Sequence, residues 1–186
     1  MARSKRWLIL ACVCAWWACG NGALTHILVA DGARTTVDSG TVIEEVLGDF
    51  GFGELVAMDI TASEELVNQG VEPGDISSAQ LDSFQLSADA PEDADLSFLE
   101  SVEIWVEAPE LEPVLVAYAD DFPVGEATVT FDVVEVDLTD YVVSESLTLS
   151  TEVRGGRPSE TTEVAADFVL DVGVTLQGAR SAACGG

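Results

Sequence analysis

The C-terminal part of the chain alternates apolar and polar residues with a period of two, and this pattern constrains the fold more than any other feature. It is longest between positions 164 and 176, where every second residue is apolar: Val164, Ala166, Phe168, Leu170, Val172, Val174 and Leu176. A period of two places alternate side chains on opposite faces of a strand, whereas a helix needs a period near 3.6. The segment therefore predicts a long β-strand with one buried face.

Further segments carry strand patterns. Residues 101–108 alternate, and their predicted core face holds Val102, Ile104, Val106 and Ala108. Residues 114–119 are apolar on both faces, which is typical of an interior strand. Apolar positions share one face from 127 to 133 and the other from 134 to 138, which predicts a bulge or a strand that changes sheets. Residues 147–153 are predicted to form a further strand, which ends at the turn residues 154–158.

These patterns predict a mainly β fold. About seven strands with turns every 8 to 12 residues are typical of an antiparallel β-sandwich. An immunoglobulin-like Greek key is one strand order that fits, although no Cys…Trp…Cys spacing indicates an antibody-type domain. Residues 41–48 and 63–70 carry capping residues and a terminal glycine, so one or two short helices accompany the strands.

The charge of the chain is strongly asymmetric. All 34 acidic residues follow Cys19, together with four arginines and no lysine, so this part carries a net charge of −30. Binding to nucleic acid by counterion release requires basic side chains, so nucleic acid is excluded as a partner on charge grounds. The apolar fraction of 48% indicates a folded domain with an acidic surface rather than a disordered chain.

The first eighteen residues have the organisation of an export signal. Basic residues at positions 3, 5 and 6 precede an uncharged apolar run of 12 residues, from Trp7 to Ala18. A membrane-spanning helix needs about 20 apolar residues, whereas the core of a signal peptide needs about 7 to 15. Residues 1–18 are therefore predicted to be a signal peptide.

The end of this segment, Trp16-Trp17-Ala18-Cys19-Gly20, resembles the lipobox of bacterial lipoproteins, although tryptophans occupy the two positions before the alanine. The resemblance implies a diacylglyceryl thioether on Cys19, cleavage before Cys19, and acylation of the new amino terminus with a palmitate-type chain. Gly20 in place of aspartate implies the outer membrane of the cell envelope. Ordinary signal cleavage nearby, which would leave Cys19 as a thiol, is the alternative.

The rest of the chain divides into an anchor with a small opening unit over 19–52, a β-sandwich domain over 53–180 and a flexible tail over 181–186. In the opening unit, a strand at 26–29 is expected to enter a turn at Asp31-Gly32. Acylation of Cys19 would leave Cys184, in the tail, without a partner in the mature chain. Cys184 is then either a free thiol or a link to a second chain.

The sequence shows no catalytic constellation, so the chain is predicted not to be an enzyme. His26 is the single histidine and no lysine follows Cys19, which argues against a serine triad, and His26 is interpreted as a surface residue. Carboxylates are the remaining side chains that could act in catalysis. A glycan hydrolase that uses two of them is the enzymatic alternative.

Two features suggest binding instead. Acidic loops at Asp93, Asp95, Asp120 and Asp121 are a candidate calcium site, because calcium takes about six to eight oxygen ligands. Trp105 lies on the face opposite Ile104, between Glu103 and Glu107, where it could form a contact or sugar-stacking surface or be covered by a neighbouring strand.

Together these observations predict a lipid-anchored cell-envelope protein whose acidic β-sandwich serves in binding or scaffolding. Its membrane contact would be the lipid anchor, and an envelope protein or a glycan would be its partner. No cofactor is required, apart from the calcium of the acidic loops. A calcium-dependent adhesion module is the alternative, and the oligomeric state is left open.

Overall fold

The computed structural model describes residues 24–40, 47–48, 59–144 and 146–175. The described residues form two antiparallel sheets. The strands are β1 (Leu24–Val37), β2 (Leu47–Gly48), β3 (Ile76–Ala90), β4 (Leu99–Glu107), β5 (Val114–Ala119), β6 (Thr128–Thr130), β7 (Asp132–Val133), β8 (Thr148–Gly155) and β9 (Thr162–Thr175). The four-stranded sheet has the order β1-β9-β3-β6, and the five-stranded sheet has the order β2-β8-β4-β5-β7. The predicted antiparallel β-sandwich is confirmed.

The strand order is that of a jelly roll. The chain crosses from one sheet to the other between β1 and β2, between β2 and β3, and between β3 and β4. Such crossings build the double-sheet sandwich of two Greek keys. In the immunoglobulin arrangement the first two strands share a sheet. Here β1 and β2 lie in different sheets, so the immunoglobulin-like order is not the one found.

The core lies between the sheets and is built by the alternating positions. In β9 the predicted inward positions from Val164 to Val174 are all buried, and in β4 so are Val102, Ile104 and Val106. Phe84 of β3 packs edge-on against Phe131, with ring centroids 4.9 Å apart. An apolar stripe on each inner face therefore supplies the burial that stabilises the sandwich.

The segment predicted to contain a bulge or a change of sheet, 127–138, does change sheets, at Phe131, two residues before the change of phase between 133 and 134. β6 pairs with β3 in one sheet, and β7 pairs with β5 in the other. Phe131 lies between them, and its N–H donates a hydrogen bond to the carbonyl of Phe84 at 3.0 Å. The prediction of a strand that changes sheets is confirmed.

The turn predicted at Asp31-Gly32 is wrong, because β1 runs straight through it. Every residue of β1 has a register partner on β9, and Gly32 lies opposite Asp167. A Cβ at Gly32 would lie 2.6 Å from Asp167 Oδ1 and 2.7 Å from the carbonyl oxygen of Ala166. The glycine therefore serves the close approach of the two strands, which is the other common use of glycine in a strand.

The predicted opening unit over 19–52 is not separate from the sandwich in its described part. β1 forms an edge of the four-stranded sheet, and β2 pairs with Glu152 and Thr151 of β8. Because 47–48 are extended, the helix predicted over 41–48 does not include them, and 41–46 lie outside the described residues. Downstream, Ile60 begins a 3₁₀ turn, Ile60–Ala62.

Two helices of four residues each accompany the strands in the described part. The first, α1 (Glu64–Val67), follows Ser63, whose side chain accepts a hydrogen bond from the N–H of Leu66 at 3.4 Å. This confirms the short capped helix predicted at 63–70. The second is α2 (Thr139–Val142). No helix in these stretches has the length and apolar character that a membrane crossing requires.

The two ends of the sandwich carry different segments. β1 begins at Leu24 beside the last residue of β9, and β3 begins next to them; we call this the Leu24 end. β1 finishes at the opposite end, beside the first residue of β9, and we call that end the tip. Among the described residues, the tip carries the loops at 91–98, 120–127 and 156–161, together with residues 38–40, whose Ser39 and Gly40 N–H groups donate hydrogen bonds to the last of these loops.

Candidate functional site

The tip contains a cleft of about 430 Å³ between two of its loops. We call it the tip cleft. Its lining is Asp93, Ala94, Asp95, Ser97 and Phe98 from the first loop, and Arg157, Pro158, Ser159, Glu160 and Thr162 from the last loop and the start of β9. The sequence-predicted Asp93 and Asp95 therefore lie in one cleft. It combines carboxylates with a guanidinium group and a half-buried aromatic ring.

Asp95 fastens two tip loops to each other. Its Oδ1 accepts hydrogen bonds from the Ser97 hydroxyl at 2.6 Å and the Ser97 N–H at 3.0 Å. Its Oδ2 accepts one from the N–H of Gly125 at 2.7 Å. The Ser97 hydroxyl, and then the two backbone N–H groups, hold the pKa of Asp95 below its usual value. The carboxylate is thus a structural link between the loops.

We expect Asp95→Asn to destabilise the fold at pH 7 by up to about 1 kcal/mol, because hydrogen bonds to a charged acceptor are lost and water screens the rest. A carboxyl group whose folded pKa is lowered adds stability above its unfolded pKa, and this stability is lost as pH falls through the folded value. The difference between the two proteins should therefore shrink below about pH 4. Urea unfolding at several pH values measures it.

The matched control is Asp93→Asn, which removes the same charge from the same cleft. Asp93 is exposed and forms no hydrogen bond or ion pair with the described residues, so its loss should change stability by less than half as much. Equal effects of the two substitutions would show that charge alone, rather than the Asp95 link, matters at the tip.

The other acidic residues predicted as calcium ligands lie close by in the fold. Asp120 and Asp121 are exposed residues that follow β5, on the loop that Asp95 binds at Gly125. The fold thus brings both predicted acidic segments to the tip. Within the described ranges no three acidic, histidine or cysteine side chains form a metal-binding group. The calcium site stays a prediction.

Arg157 adds a positively charged side chain to the tip cleft. It is exposed and makes no ion pair or hydrogen bond within the described part of the chain. Asp93 and Glu160 line the same cleft. The cleft therefore presents both charges to solvent, beside the ring of Phe98. No local sequence pattern predicts this cleft, because its two loops lie about sixty residues apart.

Trp105 lies on the outer face of the five-stranded sheet, as its alternation with Ile104 predicts. Its cross-strand neighbours are Ser150 on β8 and Leu115 on β5. It is half-buried. Tyr118, also on β5 and on the same face, is 39% exposed. The structure thus places a second aromatic side chain on the sheet face that carries Trp105, which alternation within a single strand does not reveal.

His26 lines another cleft, at the Leu24 end. Its Nδ1 lies 2.8 Å from Asp171 Oδ1, and its side chain is 56% exposed. Gly173 separates His26 from Ser78 in the register of the three strands, and Ser78 lines the same cleft. A nucleophile must be hydrogen-bonded to its base. Ser78 has no hydrogen bond to His26, so the cleft is not assembled as a serine triad.

Comparison with known proteins gives no assignment. No family model matches the chain, and no curated protein matches it. Among solved structures, one similar chain belongs to a semi-empty virus-like particle of the nodavirus of the giant freshwater prawn Macrobrachium rosenbergii. It is 6% identical, with 94% of each chain covered and a TM-score of 0.30. A TM-score this low does not indicate a shared fold or function.

The acidic surface is sparsely neutralised. Between described residues, the ion pairs of arginine are those of Arg34 with Asp89 and Glu163, and of Arg154 with Glu152. All of these pairs lie at the surface, where each contributes about 1 kcal/mol or less. The net charge of −30 beyond Cys19 therefore acts mainly as self-repulsion.

We expect the protein to melt several degrees lower in dilute buffer than at physiological ionic strength. The screening length is about 30 Å at 0.01 M and about 8 Å at 0.15 M, so repulsion across the domain is felt fully only in the dilute buffer. Differential scanning calorimetry at the two salt concentrations measures the shift. Equal melting temperatures would mean that the carboxylates are compensated in some other way.

Proposed function

We propose that the chain is a lipid-anchored protein of the cell envelope, exported and held in the outer membrane through Cys19, and that its acidic jelly roll binds or scaffolds a partner. Three groups of observations support the proposal. They are the basic and apolar signal segment with its lipobox-like end, the folded acidic domain directly after it, and clefts that carry mixed polar groups rather than an assembled catalytic site.

The observation that carries the proposal is the position of Cys19 relative to the two ends of the sandwich. Four residues lie between Cys19 and Leu24, where β1 begins, and the five Cα–Cα steps from Cys19 to Leu24 reach at most about 18 Å. β1 is 14 residues long, and at about 3.3 Å per residue it carries the chain roughly 40 Å to the tip. A lipid on Cys19 would thus hold the Leu24 end near the bilayer and leave the tip cleft accessible to a partner.

The energetics of such an anchor are favourable. Each buried methylene group contributes about 0.8 kcal/mol, and a single acyl chain binds a membrane only marginally. The three chains that the lipoprotein resemblance implies would bind far more strongly. They would hold the domain at the membrane even though its charge repels anionic lipids.

Metabolic labelling tests the proposal. Cells that express the full-length chain and grow on radiolabelled palmitate are expected to yield a labelled protein in the membrane fraction. Labelling should survive replacement of Cys12, Cys14 and Cys184 and disappear on replacement of Cys19. An unlabelled protein would contradict the lipid anchor and leave the binding role of the domain to be tested separately.

A further inference from the structure

The outer face of the five-stranded sheet carries an aromatic strip bordered by carboxylates. Along β4 the outward positions are Glu103, Trp105 and Glu107, and all three side chains are half-buried. Tyr118 is the register partner of Glu103, and Leu115 is the register partner of Trp105. Paired residues of neighbouring strands point to the same side of a sheet. We call the surface formed by these five residues the Trp105 face.

The carboxylates beside this face repel one another, which lowers the stability of the isolated domain. Glu103 lies directly opposite Glu152 of β8, and like charges in that position destabilise a sheet. Asp132 of β7 continues the same row beyond Tyr118. Arg154 lies 3.3 Å from Glu152, but Glu103 has no ion pair with any described residue. The row therefore has acceptors available to an external cation.

The two kinds of group suit one class of ligand. A guanidinium group stacks on the faces of tryptophan and tyrosine and also pairs with carboxylates in a planar, bidentate manner. A polyanion would be repelled, and a neutral sugar would use the aromatic rings without any need for the surplus of negative charge. Charge complementarity thus selects a cationic ligand.

The spacing of the groups suits an extended peptide. Along a strand, alternate residues lie about 6.8 Å apart and point to one side. Glu103, Trp105 and Glu107 follow that spacing. Glu107 Oε1 accepts a hydrogen bond from the Ser150 hydroxyl at 2.5 Å, and its carboxylate keeps its negative charge. A second extended chain lying over β4, with a basic residue at every other position, would present a cation to each of the three in turn.

We propose that the Trp105 face binds an extended basic segment of a partner protein, with arginine or lysine at alternate positions. The proposal deepens the binding role inferred for the domain. It is independent of the anchor, because palmitate labelling reports on Cys19 alone.

Trp105 provides the readout. The other three tryptophans of the chain are Trp7, Trp16 and Trp17, so the full-length protein with these three replaced by phenylalanine contains Trp105 as its single tryptophan. The probe is an eight-residue peptide of alternating arginine and threonine, added to the detergent-solubilised protein at fixed salt. We expect saturable quenching or a spectral shift of Trp105 fluorescence, and none with a peptide in which glutamine replaces arginine.

Charge variants locate the binding. The double variant Glu103→Gln with Glu107→Gln is expected to weaken peptide binding at least tenfold. The matched control, Asp82→Asn with Glu126→Gln, removes the same charge from exposed positions away from this face and should weaken binding less than threefold. Circular dichroism melting of each variant confirms that it is folded, and a destabilised Glu103 variant is replaced by Glu107→Gln alone, compared with Glu126→Gln alone.

Three outcomes would overturn the proposal. Equal weakening by the two charge variants would mean nonspecific attraction to an acidic protein. An unchanged Trp105 signal with bound peptide would place the peptide elsewhere. A response of Trp105 to a neutral oligosaccharide such as cellohexaose, with none to the arginine peptide, would make the face a sugar-binding surface.

Discussion

Cys19→Ala is expected to remove the protein almost entirely from the lipid-anchored membrane fraction. The variant should be found in the soluble fraction or as an unprocessed chain that keeps residues 1–18. The proposed acyl chains on Cys19 and on the new amino terminus both depend on this thiol, so its loss removes the whole acyl contribution to membrane binding. In the described stretches neither α1 nor α2 could replace that anchor, because each is only four residues long. Sucrose-gradient fractionation followed by immunoblotting measures the distribution.

The controls for this substitution are the other cysteines. Cys12→Ala and Cys14→Ala lie in the signal segment, and Cys184→Ala lies in the C-terminal tail; each should leave the protein in the membrane fraction. Alkaline carbonate washing separates a lipid anchor from loose adsorption. A Cys19→Ala protein that resists the wash as well as the original chain would show that another segment holds it.

Phe84→Ala is expected to lower the free energy of unfolding by about 3 to 5 kcal/mol. Phe84 is 1% exposed and belongs to the core between the sheets. It packs edge-on against Phe131, at the point where the chain leaves β6 for the other sheet. Truncation would remove buried apolar area, open a cavity and remove this ring contact. Urea denaturation with the midpoint and slope fitted together measures the loss.

Leu28→Ala is the matched control for the core substitution. Leu28 lies on β1 and is 56% exposed, so its truncation should change stability by about 0.5 kcal/mol or less. The free energies of unfolding of Phe84→Ala and Leu28→Ala should therefore differ by several kcal/mol. A Phe84→Ala protein within about 1 kcal/mol of the original would contradict the placement of Phe84 in the core.

Much of the fold follows from patterns that are local in the sequence. The alternation in β4 and β9 predicts both the strands and their buried faces, and the change of phase between 133 and 134 predicts a change of sheet, which the chain makes two residues earlier, at Phe131. These predictions succeed because a two-residue period fixes which face of a strand is apolar, whatever its partner. The jelly-roll order is different, because it depends on pairings such as β1 with β9 that no local pattern specifies.

The features that local sequence patterns do not predict share one physical origin. Asp31-Gly32 has turn composition, but the need for glycine at position 32 comes from the backbone of β9, more than 130 residues away. His26 and Asp171 are separated by 145 residues. Asp95, a predicted calcium ligand, accepts a hydrogen bond from Gly125 of another loop, a contact that the sequence of its own loop does not indicate. Each site feature is made by contacts between distant segments.

The surplus of negative charge links stability to function. Carboxylates facing one another, as Glu103 and Glu152 do, cost stability in the isolated domain. A basic partner would relieve that repulsion, so binding should raise the melting temperature most in dilute buffer, where the repulsion is screened least. Under the proposal, the acidic surface selects cationic partners.

The intact mass of the protein extracted from membranes tests the central claim most directly, since it reports the cleavage site and the lipid together. The account predicts a polypeptide that begins at Cys19 and carries the added mass of a diacylglyceryl group and one further acyl chain. A mass equal to that of the unmodified 186-residue chain, or of a chain cleaved elsewhere without lipid, would contradict it.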